Sequence, residues 1–394
     1  MRTTSLSPLN AHFQDRPMRR RRFLLVAGGA TFAGVFGGRT AVPAKALQAA
    51  TPLRVRVFSG VDVSRLEING VTLDATTGMM ASGGSTSAVG SQVIELTGDP
   101  YLDVTAHSAS GASIQRRYPA TMFVMVRGGT LLAINQVDVE TYVASVMSAE
   151  VSPGWATESL RAQAIVVRTY AAHSRLSRRP QQYDLKDDTS SQVYRGIDDV
   201  AQSFVSAAHD TAGQIIFVDN APASVFYSAA CGGHTAASEE LTGQPSPAYL
   251  VGVSDLDSGG RAYCSAAPYF RWKNSVSAES MARIVDVPAE QLNSIAVVDR
   301  WPDGRVRTIT ASGASFTVTL NGREFYTRAL RVLGYKVIPS SQFDITRDDQ
   351  GFALVGHGVG HGVGMCQWGA RGRADAGMSS AQIIQAYFPG TTLR

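Results

Sequence analysis

Glu150 is the residue whose surroundings in the sequence best suit acid–base chemistry. It falls at the predicted C-terminus of a helix, where the aligned peptide dipoles present partial negative charge. Its neighbours Ala149 and Val151 are apolar, and Trp155 follows shortly after. Both features disfavour an ionised carboxylate and predict a raised pKa, which suits a general acid near neutral pH. The local sequence alone leaves one alternative open, a solvated glutamate at a helix end.

Two glycine-rich segments place histidines where they could line a cleft. The first runs from Cys231 to Thr235, and its glycine pair predicts a sharp turn that aims His234 into the cleft; the alternative is a structural turn with an exposed histidine. The second runs from Gly356 to Ala370 and contains His357 and His361. A zinc-protease motif needs a helix and a glutamate between its histidines, and glycine at every second position disfavours a helix. A groove-lining loop and a tight packing loop remain as interpretations.

Glu150 also belongs to a long series of short motifs. In chain order these are Ile134 to Val137, Glu140 to Tyr142, Ala149 to Trp155, Glu158 to Ala164, Arg168 to Ala171, Tyr183 to Asp187, Gln192 to Gly196, Phe226 to Thr235 and Gly360 to Met365. Their order and spacing resemble the SpoIID/LytB family, whose best-known member acts on the cell wall. The resemblance implies a SpoIID-like core in which Glu150 is the catalytic residue.

The resemblance also implies which side chains orient the substrate. They are polar or aromatic members of the matched motifs: Arg168, Tyr170, Gln192, Tyr194, His234, Thr235, His361 and Gln367. The chain departs from the family at one place, because several relatives hold zinc with a cysteine, a histidine and a cysteine at the positions of Lys186, Ser190 and Ser191. A lysine and two serines cannot replace thiolate and imidazole ligands. We therefore expect no such zinc site, no other metal and no cofactor.

The implied activity is that of a peptidoglycan lytic transglycosylase. Such an enzyme cleaves between N-acetylmuramic acid and N-acetylglucosamine and leaves a 1,6-anhydro end, with one glutamate as acid and base. Glycan strands stripped of stem peptides are the expected substrate, so a cell-wall amidase is an expected partner. Two alternatives stay open: a non-catalytic, wall-binding enhancer of an N-acetylmuramoyl-L-alanine amidase, and an ordinary hydrolase that uses Asp184 or Asp187 as its second carboxylate.

The elements that must position these residues form an α+β pattern. Short β-rich runs predict an N-terminal β unit over residues 51–130, a hinge is expected from Leu131 to Asn135, and residues 131–394 form the predicted catalytic region. Asp138 is a candidate N-cap for a helix that ends near Glu150. Later elements are predicted as a helix from Ala156 to Arg175, strands from Ile215 to Val218, Ser224 to Ser228 and within Ser294 to Thr319, a loop from Gly356 to Gly372, and helices near Ala278 to Val285 and Ser380 to Tyr387.

The N-terminal segment, residues 1–46, accounts for the basic character of the 394-residue chain. Arg20 to Leu24 matches a twin-arginine export signal, and Ala44 to Ala46 matches a cleavage site. An uncleaved anchor is the alternative. Without the eight basic residues and one acidic residue of this segment, the totals of 36 and 32 leave a net charge of −3. We therefore expect an exported protein, in the periplasm, cell wall or medium, with no membrane anchor after cleavage and no nucleic-acid partner.

Cys231, Cys264 and Cys366 are the three cysteines of the chain. An odd number in an exported protein allows at most one disulfide and leaves a free thiol. A bridge between Cys231 and Cys264 is our expectation, although the sequence cannot settle the pairing.

Overall fold

The computed structural model describes residues 51–76, 86–88, 93–177 and 182–394; the predicted export signal lies outside them. The strands are β1 (Leu53–Val57), β2 (Val63–Ile68), β3 (Val71–Asp74), β4 (Thr86–Ala88), β5 (Val93–Ser108), β6 (Ser113–Arg127), β7 (Thr130–Val137), β8 (Leu185–Lys186), β9 (Ile216–Val218), β10 (Ala221–Pro222), β11 (Tyr227–Ser228), β12 (Arg271–Val276), β13 (Ser294–Arg300), β14 (Val306–Ser312), β15 (Thr317–Asn321), β16 (Phe343–Asp348), β17 (Gly351–His357), β18 (Met365–Cys366) and β19 (Thr392–Leu393). The helices are α1 (Val139–Glu150), α2 (Thr157–Ser177), α3 (Gln202–Asp210), α4 (Ser238–Thr242), α5 (Ala278–Val285), α6 (Gly322–Leu333), α7 (Gln367–Asp375) and α8 (Ser380–Tyr387). The fold is α+β, as the sequence predicts.

The N-terminal strands build one eight-stranded sheet that continues into the predicted catalytic region. Its order is β3-β2-β5-β6-β7-β1-β8, with β4 paired to β5. The predicted hinge from Leu131 to Asn135 is wrong, because these residues form the interior of β7, which pairs with both β6 and β1. All five are buried, so the apolar run is a strand covered on both faces. The predicted division at residue 130 therefore does not coincide with a break in the sheet.

Helix α1 begins and ends where local signals place it. The Asp138 carboxylate accepts hydrogen bonds from the backbone N–H groups of Glu140 and Thr141, at 3.0 Å each. At the other end, Val151 adopts an extended conformation and Glu150 is the last helical residue. Ser152 precedes a proline, which disfavours further helix. Glu150 is consequently held at a rigid helix terminus.

Helix α2 joins two of the hydrophobic cores. Leu160, Ala164 and Val167 pack into the core shared by the large sheet, α1 and α3. Ala162 and Ile165 pack on the other side, into a core formed with β11, β18, α7 and α8. The helix thus fixes the Glu150 region relative to the glycine-rich segments.

Residues 271–357 form a unit with a third core of its own. It contains the antiparallel sheets β12-β17-β16 and β13-β14-β15, and helices α5 and α6. The predicted strands within Ser294 to Thr319 and the predicted α5 are confirmed, whereas α6 is absent from the sequence-based prediction. The unit is inserted between β11 and β18, which pair in parallel with each other.

In the described part of the chain, none of the helices combines the length and apolar composition that crossing a membrane requires.

Candidate active site

Glu150 lies half-buried at the end of α1, and its charge acts on the hydroxyl group of Tyr227 on β11. Burial, and next the negative charge of Glu150, raise the pKa of Tyr227 well above its usual value. Tyr142 and Tyr170 act electrostatically on the same hydroxyl, and Gln192 forms a hydrogen bond with it. We call Glu150, Tyr142, Tyr170, Gln192 and Tyr227 the Glu150 cluster.

A chain of hydrogen bonds orders the inner part of the Glu150 cluster. The Tyr142 hydroxyl donates to Gln192 Oε1 at 3.1 Å, and Gln192 Nε2 donates to the Tyr227 hydroxyl oxygen at 3.3 Å. Gln192 is only 1% exposed, so its amide orientation is fixed by these two partners. The Tyr227 hydroxyl oxygen therefore accepts a hydrogen bond from Gln192 within the cluster.

Two tryptophans lie beside each other next to the helix end that carries Glu150. The rings of Trp155 and Trp368 are 5.1 Å apart and meet edge to face. The Arg371 guanidinium lies over Trp368, 4.9 Å from the ring centre, and 5.8 Å from the Trp155 ring centre. All three side chains are partly exposed, so they present a mixed aromatic and cationic surface to solvent.

His361 packs against the same strand that carries Tyr227. Its Nδ1 accepts from the backbone N–H of Val363 at 3.1 Å, so Nε2 carries the proton and bonds the backbone of Tyr227. Burial, and next the positive charge of Arg305, lower the pKa of His361 to about 4. His361 is therefore neutral near pH 7, and its hydrogen bond to the Tyr227 backbone supports β11.

The glycine-rich loop at residues 358–364 packs tightly against the protein itself. A side chain at Gly364 would place its Cβ 2.1 Å from the Phe226 carbonyl oxygen, and one at Gly362 would meet the Arg305 guanidinium at 2.1 Å. Both glycines have positive φ angles. Of the two interpretations of this segment, a groove-lining loop and a tight packing loop, these contacts fit the tight packing loop. The predicted loop to residue 372 is too long, since α7 begins at Gln367.

The Gln367 amide and two further buried polar groups lack hydrogen-bond partners in the described residues. Gln367 Nε2, Ser228 Oγ and both amide atoms of Gln163 have none. They lie on neighbouring elements, because α2 packs against α7 and Ser228 pairs with Cys366. Unpaired buried polar groups are costly, by about 1–3 kcal/mol each, and call for a functional reason.

Arg168 is not part of the Glu150 cluster. Only 2% of it is exposed, and its guanidinium forms two hydrogen bonds with the Glu140 carboxylate. It also donates to the carbonyl oxygens of Ala208 at 2.9 Å and Gln214 at 3.2 Å. Arg168 therefore ties α2 to the start of α1 and to α3, and its predicted role in orienting substrate is not retained.

Tyr194 and Thr235 are also structural, and we do not retain them as substrate contacts. Tyr194 is fully buried, and its hydroxyl donates to Asn135 Oδ1 at 2.8 Å. Thr235 exchanges hydrogen bonds with the backbone of Val253, and the neighbouring His234 bonds the Thr235 carbonyl through Nδ1 at 2.8 Å. His234 also pairs with Ser254 in an isolated β-bridge, so its backbone is anchored to the 253–255 segment.

The two aspartates considered as second carboxylates are both held by the N-terminal strand. Asp187 accepts from the backbone N–H groups of Phe58 and Ser59, from the Ser59 hydroxyl, and from Arg116. Asp184 is held in the same way by two arginines, Arg54 and Arg175. Because both carboxylates are themselves buried and their oxygens are engaged by these donors, neither aspartate is placed to act as a nucleophile or base.

The segment that holds zinc in some relatives is a hydrogen-bonded turn here. Ser191 Oγ accepts from the Lys186 N–H at 3.2 Å, and the Ser190 hydroxyl donates to Asp188 at 2.5 Å. Side chains and backbone thus close the turn directly, without a metal ligand set at these three positions.

Tyr227, Tyr142 and Trp368 belong to the site or its rim, although the sequence does not single them out. Tyr142 reads as one residue of the apolar face of α1, and Tyr227 as part of a strand. Their role depends on Gln192, 50 residues from Tyr142 and 35 from Tyr227. The one usable signal is that Tyr227 and Trp368 both fall inside matched or adjacent motifs.

The part of the chain that carries Glu150, Tyr142, Tyr170 and Gln192 matches a known family, and Tyr227 lies just beyond the matched range. Residues 127–217 match the SpoIID family model, described as Stage II sporulation protein, and residues 258–364 match a domain of unknown function, DUF8618. An uncharacterized protein of Brachyspira hyodysenteriae is 31% identical over 280 residues, which are 70% of this chain and 72% of that protein. The chain therefore belongs to the SpoIID/LytB family, as its motifs predict.

Two further relatives have descriptive names. Stage II sporulation protein D of Bacillus amyloliquefaciens is 25% identical over 283 residues, which are 66% of this chain and 75% of that protein. The amidase enhancer of Bacillus subtilis is 26% identical over 293 residues, which are 63% of this chain but only 39% of the enhancer. The chain thus spans well under half of the longer relative.

Proposed function

We propose that this protein is a peptidoglycan lytic transglycosylase with Glu150 as its single acid and base. The observation that carries the proposal is the position of Glu150: a half-buried carboxyl group at a helix end, whose charge acts on the buried Tyr227 hydroxyl. Membership of the SpoIID/LytB family supports a function in the cell wall, and the proposed reaction is one specific form of it.

In the proposed reaction, the protonated Glu150 carboxyl donates its proton to the glycosidic oxygen between N-acetylmuramic acid and N-acetylglucosamine. The bond from that oxygen to the anomeric carbon breaks. The ionised carboxylate then accepts the proton of the C6 hydroxyl group of the same muramic acid, whose oxygen attacks the anomeric carbon. A 1,6-anhydro sugar results and Glu150 is protonated again. The sugar supplies the nucleophile, so no second carboxylate is required.

The surroundings of Glu150 supply groups suited to a sugar polymer. Trp155 and Trp368 offer apolar faces of the kind on which sugar rings pack, and Arg371 beside them can pair with a carboxylate of the muramic acid. Both amide atoms of Gln163 and Nε2 of Gln367 have no hydrogen-bond partner among the described residues. We propose Tyr170, Gln192, His361 and Gln367 as residues that orient the strand, either directly or, for His361, through β11.

The amidase enhancer among the relatives supports a second candidate function. A protein of this type would bind the wall and stimulate an N-acetylmuramoyl-L-alanine amidase without cutting glycan. In both cases the expected partners are glycan strands and an amidase. The two functions differ in their products, because only a transglycosylase releases 1,6-anhydro ends.

Incubation of the purified protein with peptide-free and peptide-bearing glycan strands, followed by mass spectrometry, tests the proposal. Products lighter by one water than the hydrolysis products are expected, chiefly from peptide-free strands. Glu150→Gln keeps the size of the side chain and removes the acid, and a loss of at least about 100-fold in rate is expected from the loss of general acid–base catalysis. Glu290→Gln, at an exposed glutamate of the inserted unit, is the matched control and keeps full activity.

Three results would contradict this assignment. Hydrated products would indicate a hydrolase, and stimulation of an amidase by both wild-type protein and Glu150→Gln, without glycan cleavage, would indicate an enhancer. Anhydro products made equally fast by Glu150→Gln would move the acid and base to another residue.

A further inference from the structure

The three cysteines meet at one point in the second core, although they are far apart in the sequence. Cys231, Cys264 and Cys366 bring their sulfur atoms together with a carboxylate oxygen of Asp255, and the four ligand atoms all lie within 4.8 Å of one another. None of the four residues is exposed to solvent. No other group of three or more histidine, cysteine or acidic side chains in the described ranges has this arrangement.

The distances match those of a tetrahedral metal site. Cys231 Sγ lies 3.7 Å from Cys264 Sγ and 3.2 Å from Asp255 Oδ2. Two sulfurs bound to Zn²⁺ at about 2.3 Å in a tetrahedron are about 3.8 Å apart, and a sulfur and a carboxylate oxygen are about 3.5 Å apart. The four side chains are therefore already close to the positions that a metal ion would require.

The Asp255 carboxylate is oriented as metal-binding carboxylates are. Its Oδ1 accepts hydrogen bonds from the Tyr387 hydroxyl at 2.6 Å and from Arg373 Nε at 3.2 Å. These bonds leave Oδ2 directed at the sulfurs. Outer hydrogen bonds of this kind fix the orientation of metal ligands and tune their affinity.

Backbone N–H groups are directed at one of the sulfurs as well. Cys366 Sγ accepts from the N–H of Cys231 at 3.2 Å and from the N–H of Gly369 at 3.3 Å. Such donors stabilise a sulfur that carries negative charge, which is the state of a thiolate ligand. A neutral thiol gains much less from two donors.

We infer that Cys231, Asp255, Cys264 and Cys366 bind one Zn²⁺ ion in a closed, structural site. Three sulfurs and one oxygen around a buried point are a donor set typical of zinc. Binding forms three Zn–S bonds and one Zn–O bond, and the protons of the three S–H groups leave to solvent. The ion and Arg373 together offset most of the charge of three thiolates and a carboxylate, which the core could not otherwise hold.

This inference corrects the expectation of a metal-free protein, and it is separate from the zinc site of relatives at the positions of Lys186, Ser190 and Ser191. It also replaces the expected disulfide, because all three thiols are free in the structure and the Cys231 and Cys264 sulfurs are not bonded. The ion would hold together four chain segments: the turn before His234, the segment that carries Asp255, the 3-10 helix Tyr263–Ala266, and the strand before Gln367. A twin-arginine signal, which the leader resembles, exports folded proteins and would allow metal to enter before export.

The test is the metal content of the full chain, expressed and purified without chelators. About one zinc ion per chain is expected by elemental mass spectrometry, with three thiols titrated after denaturation in chelator. Cys264→Ser and Cys366→Ala should lose the zinc, while Ser228→Ala, a buried neighbour that offers no ligand, should keep it. Tyr387→Phe keeps all four ligands, removes the 2.6 Å hydrogen bond, and should weaken zinc affinity by about 10–100-fold.

Wild-type protein alone decides the matter if the cysteine variants fail to fold. After removal of zinc, titration with Co²⁺ should produce the absorption bands of tetrahedral, thiolate-bound cobalt. Zinc retained by both cysteine variants would place the metal elsewhere and overturn the inference. Metal-free protein that takes up no Co²⁺, or protein with only one titratable thiol and therefore a disulfide, would overturn it as well. None of these outcomes depends on glycan cleavage, so the inference can fail while the proposed function stands.

Discussion

Replacement of Arg168 by methionine should destabilise the protein without altering its interaction with substrate. The guanidinium is 2% exposed and is paired with the Glu140 carboxylate, which itself is 12% exposed. Arg168→Met keeps much of the apolar stem but leaves the largely buried Glu140 carboxylate without its counter-charge, and it removes the guanidinium hydrogen bonds to the carbonyls of Ala208 and Gln214. The structure therefore predicts a loss of stability, with no direct effect on the residues around Tyr227.

The magnitude follows from the burial of the pair. Removal of one partner of a buried ion pair costs about 3–5 kcal/mol, whereas removal of both partners costs much less because no uncompensated charge remains. Because the entropy of unfolding scales with chain length, a chain of this size loses only about 1.4 °C of Tm per kcal/mol, so about 3–5 kcal/mol corresponds to a fall of roughly 4–7 °C. The double variant Arg168→Met, Glu140→Gln should recover a large part of that loss.

Arg161→Met is the matched control on the same helix. Arg161 is also paired with acidic side chains, Glu158 and Asp210, but its side chain is 35% exposed. Exposed pairs contribute about 0–1 kcal/mol, so this variant should lower Tm by no more than about 1–2 °C. The assay is thermal unfolding of all four proteins, combined with glycan cleavage or glycan binding measured well below the lowest Tm.

One result would refute the structural role of Arg168. If Arg168→Met kept the wild-type Tm but raised KM or abolished glycan binding, the guanidinium would have to face the substrate. The original interpretation of this residue as a substrate contact would then be restored.

Two further predictions concern charge. Burial and Arg305 lower the pKa of His361 from 6.5 to about 4. Between these two pH values the unfolded chain binds a proton at His361 that the folded chain does not bind. The free energy of unfolding should therefore decrease as the pH is lowered through this window, by about 2 kcal/mol at pH 5. Urea unfolding of wild-type protein and His361→Gln at about pH 7 and pH 5 measures this pH dependence, which should be smaller in the variant. An equal pH dependence in the two proteins would argue against a lowered pKa of His361. Asp187→Asn removes the negative charge beside Arg116 and leaves one acceptor oxygen in place of two, so about two of the four hydrogen bonds are lost. The free energy of unfolding should fall by about 2 kcal/mol or more, while any products remain 1,6-anhydro sugars. A changed product, or loss of product in folded protein, would make Asp187 catalytic.

Elements with strong local signals could be predicted from the sequence. Asp138 caps α1 as its side chain and position suggest, and the helix ends at Glu150 before Ser152 and Pro153. Helices α5 and α8 follow serines that cap them, Ser277 and Ser379. Each of these boundaries depends on residues within one helical turn, which is the range over which sequence patterns are informative.

Features that depend on distant contacts could not be predicted in the same way. Leu131 to Asn135 reads as a hinge because it does not alternate, yet both faces are buried once β1 and β6 lie on either side. The role of Arg168 depends on Glu140, 28 residues away, and that of Tyr227 on Gln192, 35 residues away. The family resemblance located Glu150, but only the packing of separate segments shows which motif residues lie near it.

The insertion between β11 and β18 has a consequence for how the chain reaches its native state. The contacts that join these two short strands, such as the bond from Cys231 to Cys366, close a loop of about 135 residues. Loop closure over such a distance becomes favourable only after the intervening segment has become compact, so this seam is expected to form late, after the C-terminus has left the ribosome. A mutation in the core of residues 271–357 is thus expected to abolish activity by delaying the pairing of β11 with β18, even though it changes no residue that contacts substrate.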